Sequence, residues 1–212
     1  MSAFDPRVFH LAIRMPPRLR LFIAIDPPRE TATVAARMIE RLRRAGVEAA
    51  WVDPGHMHLT LHFLGNDVDE ADLHGICVAM DVVCKEISPF DVAFGGVGCF
   101  PDLKKPRVVW LGIQEGAETL GRLYDALAAR LEPLGFSPEA RGYRPHLTIG
   151  RFKHPRHDGE RVDAGRIAAH LDGVAVENAG RLTVSKVFLY DSRLEKHVAE
   201  YDRLHTATLR PR

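Results

Sequence analysis

The chain carries one tetrapeptide pattern twice, His58-Leu59-Thr60-Leu61 and His146-Leu147-Thr148-Ile149, 88 positions apart and each within an apolar run. In an extended strand successive side chains point to opposite faces. Each copy therefore presents an imidazole and a hydroxyl on one face and two aliphatic side chains on the other. Composition alone predicts roughly 0.4 His-x-Thr pairs in a chain with this content of His and Thr. Two copies, both with apolar second and fourth residues, indicate a repeated functional element.

An imidazole titrates near neutral pH, so one of two facing histidines can accept a proton while the other donates one. A threonine hydroxyl two residues on, along the same face, can donate a hydrogen bond to a non-bridging oxygen of a bound anion. Two such pairs on opposed walls suit in-line displacement at phosphorus, with one histidine activating the attacking oxygen and the other protonating the departing one. Opening of a strained cyclic phosphodiester needs no more than this and requires no metal. Spacing treats the two histidines alike and does not say which is acid and which is base.

The strands that hold these residues are legible in the hydrophobic pattern. Leu19 to Asp26 reads as a first strand stopped by Pro27-Pro28, and Arg29 to Ala45 as a helix ended by Gly46. Trp51-Val52 and Met57 to Leu64 read as strands around the turn Asp53-Pro54-Gly55. Between 69 and 87, Leu73, Ile76, Cys77, Met80, Val83, Cys84 and Ile87 fall at helical spacing, which predicts a helix packing one face on a sheet. Phe90 to Phe94 and Arg107 to Ile113 are expected strands joined by a Gly/Pro-rich loop over residues 95–101. A helix from about Glu118 to Leu134 follows, then a second motif strand from Pro145 to Phe152, a polar loop over 153–161, and closing strands from Arg181 to Tyr190 and from Ala199 to His205. Strands and helices recur about the midpoint with one His-x-Thr strand in each half. The expected fold class is α+β, with two similar lobes of antiparallel sheet and outer helices around a central cleft. Residues 1–17 read as a loosely ordered extension, and residues 18–212 as a single bilobal domain.

Composition narrows the partners. With 29 basic and 28 acidic residues the net charge is +1, so nothing draws the whole molecule to duplex nucleic acid, and an anionic substrate must be held by local groups. No stretch has the length and hydropathy of a spanning helix, and no secretory signal pattern is present, so a cytoplasmic protein without membrane partners, acting as a monomer, is expected. Cys77, Cys84 and Cys99 make no Cys-x-x-Cys and argue against a disulfide framework or a thiolate zinc site.

The blocks Trp51 to Asn66 and Arg144 to Arg151 resemble the 2H phosphoesterase superfamily, in its branch of RNA 2′,3′-cyclic phosphodiesterases also called 2′-5′ RNA ligases. The similarity extends in order to Arg20–Pro28, Gly96–Pro101, Pro106–Gly112 and Leu189–Leu194. The resemblance implies a bilobal 2H phosphoesterase-like fold and cofactor-free, metal-independent hydrolysis of a terminal 2′,3′-cyclic phosphate on RNA 3′ ends to a 2′-phosphate. It also implies that His58 is the proton donor and His146 the proton acceptor, with Thr60 and Thr148 holding the phosphate. Gly150 departs from the family pattern, where a small or apolar side chain is commoner, and is expected to leave the face beside Thr148 open. Other activities share the same groups: reversible 2′-5′ RNA ligation, or opening of a small cyclic nucleotide such as ADP-ribose 1″,2″-cyclic phosphate. A non-catalytic module that binds RNA ends is a further alternative, weakened by the two intact motifs.

Several neighbours admit two readings. His56, His58 and His62 share one face of an ideal strand, which is a metal-site pattern lacking a completing ligand; His62 alternatively lines the pocket beside Thr60 or is an exposed strand residue. Arg151 is a candidate phosphate ligand, but strict alternation turns it away from His146 unless a bulge intervenes. Tyr143 and Arg144 either meet substrate or pack a loop. Phe100 either stacks on a base or anchors its loop, and Lys104, Lys105 and Arg107 are either an RNA track or a solvated face.

Overall fold

The computed structural model describes residues 18–139, 142–152, 178–195 and 198–211. The expected extension over 1–17 and the polar loop over 153–161 lie outside the described residues. The strands are β1 (Arg18–Ile25), β2 (Ala50–Trp51), β3 (Leu59–Asp69), β4 (Phe90–Phe100), β5 (Val108–Glu115), β6 (Leu147–Arg151), β7 (Arg181–Val184), β8 (Lys186–Glu195) and β9 (Val198–Thr208). The helices are α1 (Arg29–Arg44), α2 (Leu73–Glu86) and α3 (Ala117–Leu131). All described strands join one antiparallel sheet in the order β7-β4-β5-β6-β3-β1-β8-β9, with β2 paired to β6.

Each helix forms where apolar residues repeat at helical spacing. In α1 the buried stripe is Thr31, Ala35, Met38, Ile39 and Leu42. The helix starts behind Pro28, whose extended backbone suits the position before a helix, and it ends at Gly46, which takes φ 76°. There the Gly46 N–H donates to the Arg43 carbonyl and the Val47 N–H to the Leu42 carbonyl, satisfying carbonyls that the helix end leaves open. The stripes of α2 (Ile76, Ala79, Met80, Val83, Cys84) and α3 (Leu120, Leu123, Tyr124, Leu127, Leu131) pack with α1 on one face of the sheet, in one continuous core. Burial there pushes the Cys84 thiol up to about 12, leaving it an unreactive apolar side chain. The opposite face of the sheet carries a smaller cluster built on Phe22, Ala24 and Tyr190, with Phe63, Phe188 and Tyr201 against it.

The motif strands are neighbours in this sheet. β3 and β6 pair at Leu59 with Leu147 only, so the ladder barely continues across the join, and the β1-β3-β8-β9 half meets the β2-β4-β5-β6-β7 half at a narrow seam. The expected two halves exist, but the histidines face each other across adjacent strands of one sheet.

Two departures from the expected elements have physical causes. The Gly/Pro-rich segment after Phe94 continues β4 as far as Phe100 and pairs with β5, because its glycines accommodate neighbours instead of making a turn. A Cβ on Gly98 would come to 2.3 Å from the Trp110 ring of β5, so glycine lets the indole lie flat on the β4 backbone. The closing run from Arg181 to Tyr190 is broken at Ser185 into β7, on the β4 edge, and β8, beside β1. Among the described residues no helix is long and apolar enough to cross a membrane.

Gly98→Val should displace Trp110 and lower stability by about 1–3 kcal/mol. Urea unfolding monitored by tryptophan fluorescence measures the loss, and an unchanged midpoint would contradict the packing described.

Candidate active site

The antiparallel pairing of Leu59 with Leu147 sets His58 opposite Thr148 and Thr60 opposite His146, so that the two histidines lie diagonally across the seam on the face opposite the helices. The two motifs are thus related by a local two-fold through the paired leucines, which are fully buried on the core side. Each imidazole is oriented in the same way. His58 Nδ1 lies 2.9 Å from the His56 carbonyl oxygen, and His146 Nδ1 lies 2.7 Å from the Arg144 carbonyl oxygen. A carbonyl can only accept, so each Nδ1 carries the proton and donates it. Each Nε2 is left toward the cleft, as a base when the ring is neutral and as an acid when it is charged.

Aromatic rings fix the imidazole planes. Phe22 packs on His58 with centroids 4.5 Å apart, and Tyr201 meets His58 edge-on at 5.2 Å. Phe100 meets His146 edge-on at 4.8 Å and contacts Trp110 at 5.2 Å. Trp110 is the cross-strand partner of Thr148, so the second motif sits on an aromatic wall. Neither Thr60 nor Thr148 has a hydrogen-bond partner for its hydroxyl among the described residues, leaving both free for a bound anion.

A bulge follows each His-x-Thr triplet and reverses the alternation. On β3 the register shifts between Ile23 and Ala24 of β1, so Thr60 opposes Ala24 while His62 opposes Ile23. Leu61 and His62 consequently both turn to the core, with His62 3 % exposed and its ring 5.9 Å from Tyr124 of α3. His62 therefore does not line the pocket, and no shared face of His56, His58 and His62 exists. Among the described residues no three His, Cys, Asp or Glu side chains gather as a metal site. On β6 the register shifts between Val109 and Trp110 of β5, so Thr148 opposes Trp110, Gly150 opposes Val109 and Arg151 opposes Val108. This second bulge returns Arg151 to the face of the histidines. Gly150 turns to the core, where a Cβ would come to 2.7 Å from the Trp51 ring. The departure at Gly150 thus seats Trp51 and does not open the face beside Thr148.

The electrostatics follow from this placement. Burial pushes the His58 imidazole below its usual range, opposed by the His56 carbonyl and Asp26 and assisted by Arg151. His146 is also lowered, again mainly by burial, with the Arg144 carbonyl and Glu139 opposing and Arg151 assisting. Arg151, returned to this face by the bulge, thus brings its positive charge to bear on both rings. Both histidines are neutral in the free protein above their usual pKa, and an anion in the cleft would favour charging one of them.

The remaining predicted positions divide. Tyr143 is packed, its ring stacked on Tyr124 at 4.4 Å, so the loop-packing reading holds there. Arg144 supplies the carbonyl for His146 and holds its guanidinium 5.9 Å from the Phe100 ring. Lys104, Lys105 and Arg107 are exposed in the connection after β4. Phe22, Tyr201 and Trp110 also belong to the site; Phe22 and Trp110 lie within the blocks Arg20–Pro28 and Pro106–Gly112 that carry the resemblance without standing out there, and no motif marks Tyr201. For Phe22 the available signal is its position on the buried strand β1, whereas Tyr201 and Trp110 reach the motifs only through sheet order.

The chain is similar to known proteins of one family. Residues 27–193 match the model of the 2′-5′ RNA ligase superfamily. An RNA 2′,3′-cyclic phosphodiesterase of Methanothermobacter thermautotrophicus is 35 % identical over 84 % of this chain and 91 % of its own length. A protein of the same name from Methanocaldococcus jannaschii is 31 % identical over 87 % of this chain and 97 % of its own length. Among solved structures, TT0787 of Thermus thermophilus superposes with a TM-score of 0.73 at 25 % identity, covering 91 % of this chain and 99 % of that one. E. coli LigT, solved with 3′-AMP, shares the fold at a TM-score of 0.67 and 22 % identity, covering 91 % and 99 %.

An NMR titration of the ring protons should place both His58 and His146 below the usual histidine pKa, and Arg151→Gln should raise both. A rise confined to one ring would contradict the position assigned to Arg151. His62→Leu, which removes a buried Nε2 that has no hydrogen-bond partner among the described residues, should leave any turnover at the cleft within about twofold of wild type; a large loss would return His62 to the site.

Proposed function

The chain belongs to the 2′-5′ RNA ligase superfamily, and from that premise we propose that it is an RNA 2′,3′-cyclic phosphodiesterase opening the terminal cyclic phosphate between His58 and His146. The observation that carries this reading is the pair of imidazoles, each held through Nδ1 by a carbonyl two residues earlier, on the two sides of the β3/β6 seam with Arg151 on the same face.

The phosphate sits over the seam, its non-bridging oxygens accepting from the Thr60 and Thr148 hydroxyls and its charge balanced by Arg151. Neutral His146 takes a proton from water through Nε2 as the water oxygen bonds to phosphorus. The P–O3′ bond breaks on the opposite side, and charged His58 gives its Nε2 proton to O3′. The products are a 2′-phosphate and a free 3′-hydroxyl. His146 is left charged and His58 neutral, and proton exchange with solvent restores the starting pair. Metal ions have no step in this sequence. The donor role of His58 and the acceptor role of His146 follow the family pattern, and the local two-fold makes either histidine chemically competent.

A second reading is 2′-5′ joining, in which a 5′-hydroxyl takes the place of water. The place beside His146 favours it, because the exposed Arg144 and half-buried Phe100 there offer a cation and a ring to a second strand end.

His58→Ala and His146→Ala should each lower kcat on an RNA cyclic phosphate by about 10²–10⁴-fold, with circular dichroism unchanged. Full activity in either variant overturns the assignment. The pH profile has a definite sign. Productive free enzyme needs one ring charged and one neutral, and burial lowers both, so kcat/KM should peak below about pH 6.5 and fall as pH rises through the lowered values. The falling limb of kcat should move to higher pH, because bound phosphate favours the imidazolium. A kcat/KM optimum at alkaline pH would contradict the burial argument.

A further inference from the structure

From His58 a groove of about 460 Å³ runs away from the seam, between the start of α1, the turn before β3, and β8 and β9. That volume is in the range of small-ligand sites, about 300–1,000 Å³. Its polar and aromatic wall is Asp26, Arg29, His56, Tyr190, Tyr201 and Arg203. None of these has a part in the proton transfers; His58 alone, at the groove mouth, does.

The direction of the groove gives it a meaning. In-line displacement places the attacking and leaving oxygens on opposite sides of phosphorus. With His58 on the leaving O3′, the terminal ribose lies on the His58 side, and the RNA chain 5′ of it must leave the reaction centre that way. The groove is the recess that begins there.

Its charge fits a phosphodiester. Arg203 holds Asp26 through Nη2 at 2.8 Å, and Nε and Nη2 donate to the Tyr190 hydroxyl at 3.3 and 3.0 Å. The Tyr190 hydroxyl in turn donates to the other Asp26 oxygen at 2.7 Å. The guanidinium also lies 4.0 Å over the Phe188 ring. Its plane is therefore set before any ligand arrives, Asp26 has both oxygens engaged, and Nη1 remains uncommitted among the described residues. Arg29, exposed at the first residue of α1, has no acidic partner among the described residues. Two guanidinium charges against one carboxylate leave the groove one positive charge, matching one phosphodiester. Tyr201, edge-on to both His56 (5.3 Å) and His58 (5.2 Å), links the reaction centre to the groove with an aromatic surface on which a base can rest.

We propose that this groove is the binding subsite for the nucleotide immediately 5′ of the cyclic-phosphate end, with Arg203 and Arg29 on the intervening phosphodiester. It makes the protein select RNA ends over mononucleoside cyclic phosphates. The proposal rests on the reading of His58 as the acid on the leaving oxygen.

The test compares kcat/KM for the dinucleotide ApA ending in a 2′,3′-cyclic phosphate with kcat/KM for adenosine 2′,3′-cyclic phosphate. Wild type should prefer the dinucleotide by tenfold or more. Arg203→Ala and Arg29→Glu should each lower that ratio by several fold, Arg29→Glu serving as the variant that breaks no side-chain hydrogen bond or ion pair among the described residues. A wild-type ratio near one, or a ratio that neither variant changes, overturns the subsite while leaving the activity intact. Turnover of neither compound contradicts the activity reading instead. The subsite is then decided by Kd values for ApAp and Ap, and equal affinities overturn it.

Discussion

The pairing of Leu59 with Leu147 is the contact on which the site depends. It joins two sequence-distant strands through a single residue pair, with both leucines fully buried, and so turns two copies of a His-x-Thr pattern into one cleft. One face of the pairing is fixed by the core beneath it. Register is strongly specified wherever one face is buried, since a slip of either strand by one residue would send its leucine outward and its histidine into the core. The hydrophobic core thus fixes the relative position of the two imidazoles.

Above that pairing the same local device appears twice. Each imidazole donates to a carbonyl two residues earlier, each rests against aromatic rings, and each motif ends in a bulge. The bulges then serve different ends. On β3 the reversed alternation sends His62 into the core, while on β6 it brings Arg151 back to the cleft, where its charge acts on both histidines. Together the halves make a site symmetric in its acid/base pair and asymmetric in its flanks. Phe100 and Arg144 lie beside His146, whereas Asp26, Arg203 and Tyr201 lie beside His58.

Much of this is legible in the residues. The stripes of α1, α2 and α3 follow from helical spacing of apolar side chains, and the exposed face of each motif follows from alternation over three residues. What alternation does not carry is the bulge, because the extra residue is defined by the partner strand's register. Alternation for that reason offers His62 a pocket role it does not have and leaves Arg151 between two faces. Gly95 to Pro101 read as a loop because glycine and proline usually mark turns; here Gly98 is required by Trp110, a residue of the neighbouring strand. Tyr201 and Arg203 meet His58 and Asp26 only through the order β3-β1-β8-β9, which no local pattern encodes.

The most direct test of the central claim is incubation of the purified protein, in excess EDTA, with a short RNA ending in a 2′,3′-cyclic phosphate, resolving 2′-phosphate from 3′-phosphate products. Paired histidines with His58 on O3′ predict sustained conversion to the 2′-phosphate alone. Activity that vanishes in EDTA and returns with a divalent metal, or a product carrying the 3′-phosphate, would contradict it.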